Sequence, residues 1–235
     1  MRVIKEGHLY QLTFMPRFFP VNCYFIEEED GLTLIDAALP YSAKPILQAA
    51  EKIGKQIKRI ILTHAHGDHI GALDELKAKL SVPVYISDRD ARILAGDTSL
   101  DSTELQTPIR GGVPKNIKTS PDILIKEGDH IGSLLAISTP GHTPGSMSFL
   151  DQRTNMLIAG DAFQTRGGTA VSGVTIPWFP FPAMATWNKE TALHSARKIH
   201  ELNPSLLAVG HGELLRDPGA IIEKAIQKAE EAFTK

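Results

Sequence analysis

The order of apolar segments predicts an α/β fold. Two β-sheets would pack face to face with helices outside, a four-layer αββα sandwich. Three observations lead there. Two series of short strands are each followed by helical periods. A polar stretch rich in Gly, Pro, Ser and Thr, residues 96–121, separates the two series. Several apolar strands end in a glycine beside a His or an Asp. The 235 residues are enough for a well-buried core. Residues 1–235 read as a single domain of two αβ halves, about 1–115 and 116–235. Periodicity alone does not establish the layering.

Each element has a local reason. Strands are expected at 8–14 and 21–27, on either side of the loop M-P-R-F-F-P. The turn E-E-E-D-G leads into a hairpin partner at 32–36. Residues 42–54 carry a helical period, with Ser42 placed as a cap and Gly54 at the end. A short buried strand follows at 57–63. Ile70, Leu73, Leu76 and Leu80 space out a helix over 69–80. A strand at 82–86 and a helix at 88–95 close the first series. The second series has strands at 122–126, 130–138, 146–150 and 156–160. A long irregular segment, 164–187, precedes a helix at 188–202, a strand at 205–209 and a final helix at 217–234.

Composition excludes several classes. Apolar residues make up 42% and charged residues 22%, ordinary for a folded globular chain. The formal net charge of −2 and the lack of a basic run argue against a nucleic-acid binder. No stretch reaches the roughly 18 apolar residues of a membrane span. The N-terminus lacks the apolar core of a signal peptide. One cysteine, Cys23, permits no intrachain disulfide. A cytoplasmic, soluble protein without a membrane partner is expected. Cys23 lies in the strand V-N-C-Y-F and reads as a buried small residue.

The densest chemistry is T-H-A-H-G-D-H, which places His64, His66, Asp68 and His69 directly after an apolar strand. Consecutive residues on a helix diverge by about 100°, so one helix would not turn all four inward. A tight loop at the strand end would, and Gly67 eases its bend. Imidazole and carboxylate suit zinc and similar divalent ions. Four such groups in six residues serve one ion or begin two sites. Downstream, P-G-H-T-P-G-S holds His142, L-I-A-G-D-A holds Asp161 and L-A-V-G-H-G holds His211. Each repeats one grammar of strand, glycine and metal-capable side chain. Alone, each reads better as a turn residue; with the first cluster beside them, they read as ligands.

These motifs, with Asp36 in L-I-D-A, resemble those of the metallo-β-lactamase fold superfamily of metal-dependent hydrolases. The matching residues run from 36 to 211. The resemblance implies two divalent ions, zinc first, with iron or manganese as the other candidates. His64, His66 and His142 would hold one ion. Asp68, His69 and His211 would hold the other, and Asp161 would bridge them. Asp36 would support the ligand loop from behind. The remaining histidines, His8, His130, His194 and His200, match no motif and read as surface or structural residues.

What the resemblance implies for chemistry is a binuclear hydrolase. A metal-bridging hydroxide would cleave an ester, lactone or thioester of a small molecule, because two cations lower the pKa of a shared water to near 7. Asp68 is the catalytic candidate, as a ligand that also passes a proton. A bridging Asp161 resembles the glyoxalase II and lactonase branches more than true β-lactamases. Two departures qualify this. Gln164 stands where similar lactonases often carry a tyrosine, three residues after the bridging Asp. The tail after His211 lacks the tyrosine-bearing helical region usual in glyoxalase II. Two alternatives stay open: a mononuclear iron enzyme resembling persulfide dioxygenases, using His64, His142 and Asp161, and a non-catalytic metal-binding module.

Two apolar segments are candidates for the substrate wall. One supplies Phe18 and Phe19. The other supplies Trp178, Phe179, Phe181, Met184 and Trp187 and is stiffened by proline. Such a segment equally suits a core anchor or a homodimer contact.

Overall fold

A computed structural model describes residues 1–234 and divides them into two compact units. The first comprises Met1–Gly96 and Gly112–Ile125, the second Asp97–Gly111 and Lys126 onward.

The first unit is built on a seven-stranded sheet in sequential order. Its strands are β1 (Arg2–Glu6), β2 (Leu9–Phe14), β3 (Val21–Glu27), β4 (Leu32–Ile35), β5 (Ile57–Ile61), β6 (Val84–Ser87) and β7 (Ile123–Ile125). The first four pair antiparallel; from β4 to β7 the pairing is parallel. The parallel pairs require helical crossovers. These are α1 (Ala43–Ile53), α2 (Gly67–Ile70) with α3 (Leu73–Leu80), and α4 (Asp88–Leu94). The unit extends to Ile125 because β7 pairs with β6.

Most of the expected elements lie within a residue or two of their predicted bounds, and three differences have clear causes. Strand β1 was not foreseen; its alternating exposure marks it as a sheet edge. The helix expected over 69–80 is broken in two. Gly71 donates its N–H to the Ala38 carbonyl at 2.7 Å and packs so closely that a Cβ there would lie 2.6 Å from the Pro40 nitrogen. Ser42 stands at the start of α1 without capping it, since its hydroxyl instead accepts from the Leu39 N–H at 3.1 Å. Gly54 does end α1, in the left-handed conformation, with its N–H shared between the Ala50 and Glu51 carbonyls.

The second unit carries a six-stranded sheet in the order β15-β14-β11-β10-β9-β8. The strands are β8 (His130–Ile131), β9 (Leu134–Ser138), β10 (Met147–Asp151), β11 (Met156–Ile158), β14 (Leu206–Ala208) and β15 (Leu215–Arg216). The single strand expected over 130–138 is a hairpin, turned at Gly132 with φ of 61°. A separate ribbon, β12 (Phe163–Gln164) with β13 (Ala170–Val171), lies in the segment expected to be irregular. The helices are α5 (Phe181–Ala185), α6 (Lys189–Glu201) and α7 (Gly219–Phe233). Asn188 caps α6 by accepting from the Thr191 N–H at 2.8 Å. Apolar faces of α6 and α7 bury Ala192, Ala196, Ile199, Ile222 and Ala229 against Leu157, Phe163 and Leu207. No helix among the described residues is long and apolar enough to cross a membrane.

Cys23 is fully buried in β3. Burial, reinforced by the charge of Asp36, pushes its thiol well above the ordinary range. Since the thiolate is the reactive form, native protein should resist iodoacetamide near neutral pH and take up one label per chain only after denaturation. Mass spectrometry reads this directly, and stoichiometric labelling of the folded protein would contradict it.

Candidate metal centre

The first unit contributes one set of donors. His64 follows β5 after Leu62 and a bend at Thr63. His66 is extended, with φ −78° and ψ 148°, and opens the single turn α2. Asp68 and His69 sit on that turn. The expected loop therefore runs from a bend into a single helical turn. That combination turns all four groups toward one region of the unit. The rings of His64 and His66 stand edge to face with centroids 4.8 Å apart, and those of His64 and His69 are 4.1 Å apart. A ring nitrogen of His64 lies within 4.8 Å of one on His66 and of one on His69, and donor atoms of Asp68 and His69 are equally close to each other. The three histidines are buried and Asp68 is half-buried.

Asp36 organises this set. It is buried at the end of β4, with φ of 64°, a left-handed conformation that Asp tolerates better than most residues. Its Oδ1 accepts the Thr63 N–H at 2.8 Å. Its Oδ2 accepts the Thr63 hydroxyl at 2.8 Å and His69 Nδ1–H at 2.7 Å. The Thr63 hydroxyl proton is thus committed to Asp36, so the 3.0 Å contact with His64 Nδ1 has the imidazole as donor. Both His64 and His69 carry hydrogen on Nδ1, which leaves the lone pair of each ring on Nε2. Asp90 fastens the loop between the ligands by accepting the Ala65 N–H at 2.9 Å, and Ser87 caps the helix that carries it. Asp36 was expected to play this part. Thr63 and Asp90 were not singled out, because a Thr before a His and an acid in a helix carry no distinguishing pattern.

The second unit contributes His142, Asp161 and His211, all buried. Each follows a strand of the second sheet, as the repeated grammar predicted: His142 after β9, Asp161 after β11 and His211 after β14. Asp161 lies in a single 3-10 turn. Its Oδ2 is 3.3 Å from His142 Nε2 and 3.2 Å from His211 Nε2. Two ligands on one tetrahedral zinc, with bonds of about 2.0–2.1 Å, stand roughly 3.3 Å apart. The spacing therefore fits donors that converge on a cation. Gly141, at φ of 137°, lets the His142 loop lie against α6, where a Cβ would come within 2.4 Å of the Ala192 backbone. His142 itself is backed by hydroxyls: Nδ1 lies 3.0 Å from Ser172 Oγ.

The apolar segment after Asp161 divides. Phe179 and Trp187 are buried anchors. Phe179 packs its ring on His211, centroids 5.4 Å apart, and the Trp187 indole donates to the Thr107 carbonyl at 2.8 Å. Trp178, Phe181 and Met184 are exposed, Trp178 at 90%. Phe18 is exposed at 81% and Phe19 half-buried. Gln164 is buried and donates to the Phe179 carbonyl at 3.3 Å. Among the histidines outside the motifs, His8, His130 and His194 are exposed and His200 is half-buried, in keeping with ordinary surface roles.

Comparison with known proteins points to one family. Residues 16–211 match the model of the family described as the metallo-beta-lactamase superfamily. The chain is 59% identical over 231 residues to the protein YobT of Bacillus subtilis (strain 168), covering 97% of this chain and 99% of that one. It is 35% identical over 212 residues to the probable metallo-hydrolase YflN of the same organism, covering 81% and 80%. It is 28% identical over 203 residues to the hydroxyacylglutathione hydrolase GloC of Haemophilus influenzae (strain ATCC 51907 / DSM 11121 / KW20 / Rd), covering 83% and 86%. Among solved structures, the B3 metallo-beta-lactamase BLEG-1 superposes with a TM-score of 0.67 at 25% identity, covering 90% of this chain and 95% of that one.

Proposed function

Since this chain belongs to the metallo-β-lactamase superfamily, we propose that it is a binuclear metal-dependent hydrolase that cleaves an ester, lactone or thioester in a small molecule. The observation that carries the reading is the state of the donors. His64 and His69 have Nδ1 committed to acceptors, and Asp161 sets one carboxylate oxygen against two imidazole nitrogens. The family match runs through both units, which supports assigning their two donor sets to one centre, within a single catalytic domain. The thioester option draws on the similarity to a protein named for hydrolysis of an acylglutathione.

Zinc or a comparable divalent ion, when bound, supplies Lewis acidity and a water that ionises near neutral pH. His64, His66 and His142 would hold one ion. Asp68, His69 and His211 would hold the second, with Asp161 shared. The remaining work falls to the chain. Asp36 and Thr63 keep two imidazoles in the ligating tautomer. Asp68 would accept a proton and return it to the leaving group, a role its partial exposure supports. No serine or cysteine nucleophile is required.

The test joins metal analysis to a substrate panel. Protein purified without chelator should hold about two ions per chain. It should hydrolyse activated esters, lactones or thioesters, lose that activity on chelation and regain it with zinc. Hydrolysis that survives complete metal removal would refute the reading. One iron per chain with oxygen consumed on a persulfide would replace it with the oxygenase alternative.

A further inference from the structure

We propose that Thr186, acting through Ser172, is a positioning residue that sets the tautomer of His142 and so presents Nε2 to a cation. This rests on the reading of His142 as a ligand.

The argument is one of counting hydrogens. Thr186 Oγ1 lies 2.7 Å from the Pro182 carbonyl oxygen, which can only accept. Thr186 Oγ1 and Ser172 Oγ are 2.8 Å apart, and Ser172 Oγ is 3.0 Å from His142 Nδ1. These three contacts share three hydrogens, one from each hydroxyl and one from the ring; a longer approach, 3.4 Å from Thr186 Oγ1 to His142 Nδ1, is met by the same ring hydrogen. Only one assignment satisfies all three. The Thr186 hydroxyl donates to Pro182, the Ser172 hydroxyl donates to Thr186, and His142 Nδ1–H donates to Ser172. Reversing any link leaves two oxygen lone pairs, or an oxygen and a nitrogen lone pair, facing each other in a buried site. Ser172, Thr186 and His142 are 2%, 3% and 2% exposed, so bulk water does not rescue a broken link. The carbonyl at the far end therefore dictates the ring's polarity. Nε2 then faces Asp161 Oδ2 at 3.3 Å, where a cation reconciles a nitrogen lone pair with a carboxylate oxygen.

The backbone holds the relay in register. The Trp187 N–H donates to the His142 carbonyl at 3.0 Å and the Asn188 N–H to the Gly141 carbonyl at 2.9 Å. The Ser195 hydroxyl donates to the Pro140 carbonyl at 2.6 Å. These bonds fix where the loop lies. They do not determine which ring nitrogen carries the hydrogen, and that task is left to the two hydroxyls.

The experiment uses full-length protein with 15N-labelled histidine. Ring nitrogen shifts of His142 are recorded on metal-free samples at alkaline pH, and zinc affinity is measured separately with a competing chelator. Wild type should show His142 as the Nδ1–H tautomer. In Thr186→Val the Ser172 hydroxyl loses its acceptor and can turn to donate to Nδ1. The Nε2–H tautomer should then appear, and zinc affinity should fall by about 10–100-fold, as when a ligating histidine loses its outer partner. Thr186→Ser should restore both. Trp187→Phe, which removes the indole bond to Thr107 but no hydroxyl, should leave the tautomer as in wild type. Retention of Nδ1–H in Thr186→Val, or an equal tautomer change in Trp187→Phe, would overturn the proposal. The tautomer is read without metal, so failure of the wild type to bind zinc would sink the hydrolase reading alone.

Discussion

Asp161→Asn should abolish metal-dependent hydrolysis and strip at least one ion from the protein. The substitution keeps the shape of the side chain but removes the charge that two imidazole nitrogens share at 3.2 and 3.3 Å. It also introduces an amide N–H that can donate to a ligating nitrogen and occupy it. The loss should exceed the roughly 10–100-fold that follows from removing a ligand's outer hydrogen-bond partner, because a ligand itself is lost. Metal content by plasma mass spectrometry and kcat/KM at fixed free zinc are the measurements. A variant that keeps two ions and more than a tenth of the activity would show that Asp161 is no ligand. The buried setting makes a large effect reasonable: with Asp161 5% exposed, solvent can do little to replace the lost charge.

Asp36→Ala should cost the most stability of any single change in the first donor set. Its carboxylate accepts three hydrogen bonds in a buried site. The Thr63 hydroxyl can turn elsewhere, but the Thr63 N–H and the His69 ring each lose a buried hydrogen-bond partner. Each buried donor left without an acceptor costs roughly 1–3 kcal/mol, so the expected loss is about 4 kcal/mol. For a chain of this size that corresponds to a drop in Tm on the order of 10 °C. Thermal denaturation should be done on metal-free protein, so that weakened metal binding does not add to the effect. Asp36→Asn keeps one acceptor for the Thr63 N–H and should fall between wild type and alanine. A shift under about 2 °C for Asp36→Ala would mean that the network is not a support. His69 should also lose its preference for the Nδ1–H tautomer, since the 2.7 Å bond from Nδ1 to Asp36 is gone.

The two predictions differ in how far they could be anticipated. Asp161 stood out because L-I-A-G-D-A ends a strand in glycine and a carboxylate, a local pattern. Asp36 stood out only through the family resemblance, since a lone Asp at a strand end is commonplace. Ser172 and Thr186 did not stand out at all. They lie in the segment expected to be irregular, where a short ribbon and a single helical turn bring them beside a histidine 30 and 44 positions away. The same segment shows why composition cannot sort neighbours. Trp178 and Phe179 are adjacent and both aromatic, yet one is 90% exposed and the other 1%.

What the sequence determined by itself is the set of donors and the elements that carry them. Strand, turn and helix are written in short-range patterns: apolar runs of four to six residues, glycines at strand ends, a helical period ending at Gly54 and another after Asn188. Ligand identity is chemistry of the side chain and needs no coordinates. Tertiary structure alone decided the direction of each hydrogen bond behind those donors. Whether His64 or His142 offers Nδ1 or Nε2 depends on acceptors such as Asp36 and the Pro182 carbonyl. Those acceptors act on the rings through intervening hydroxyls, only after distant segments have packed, and a hydrogen's direction follows from its neighbours in space.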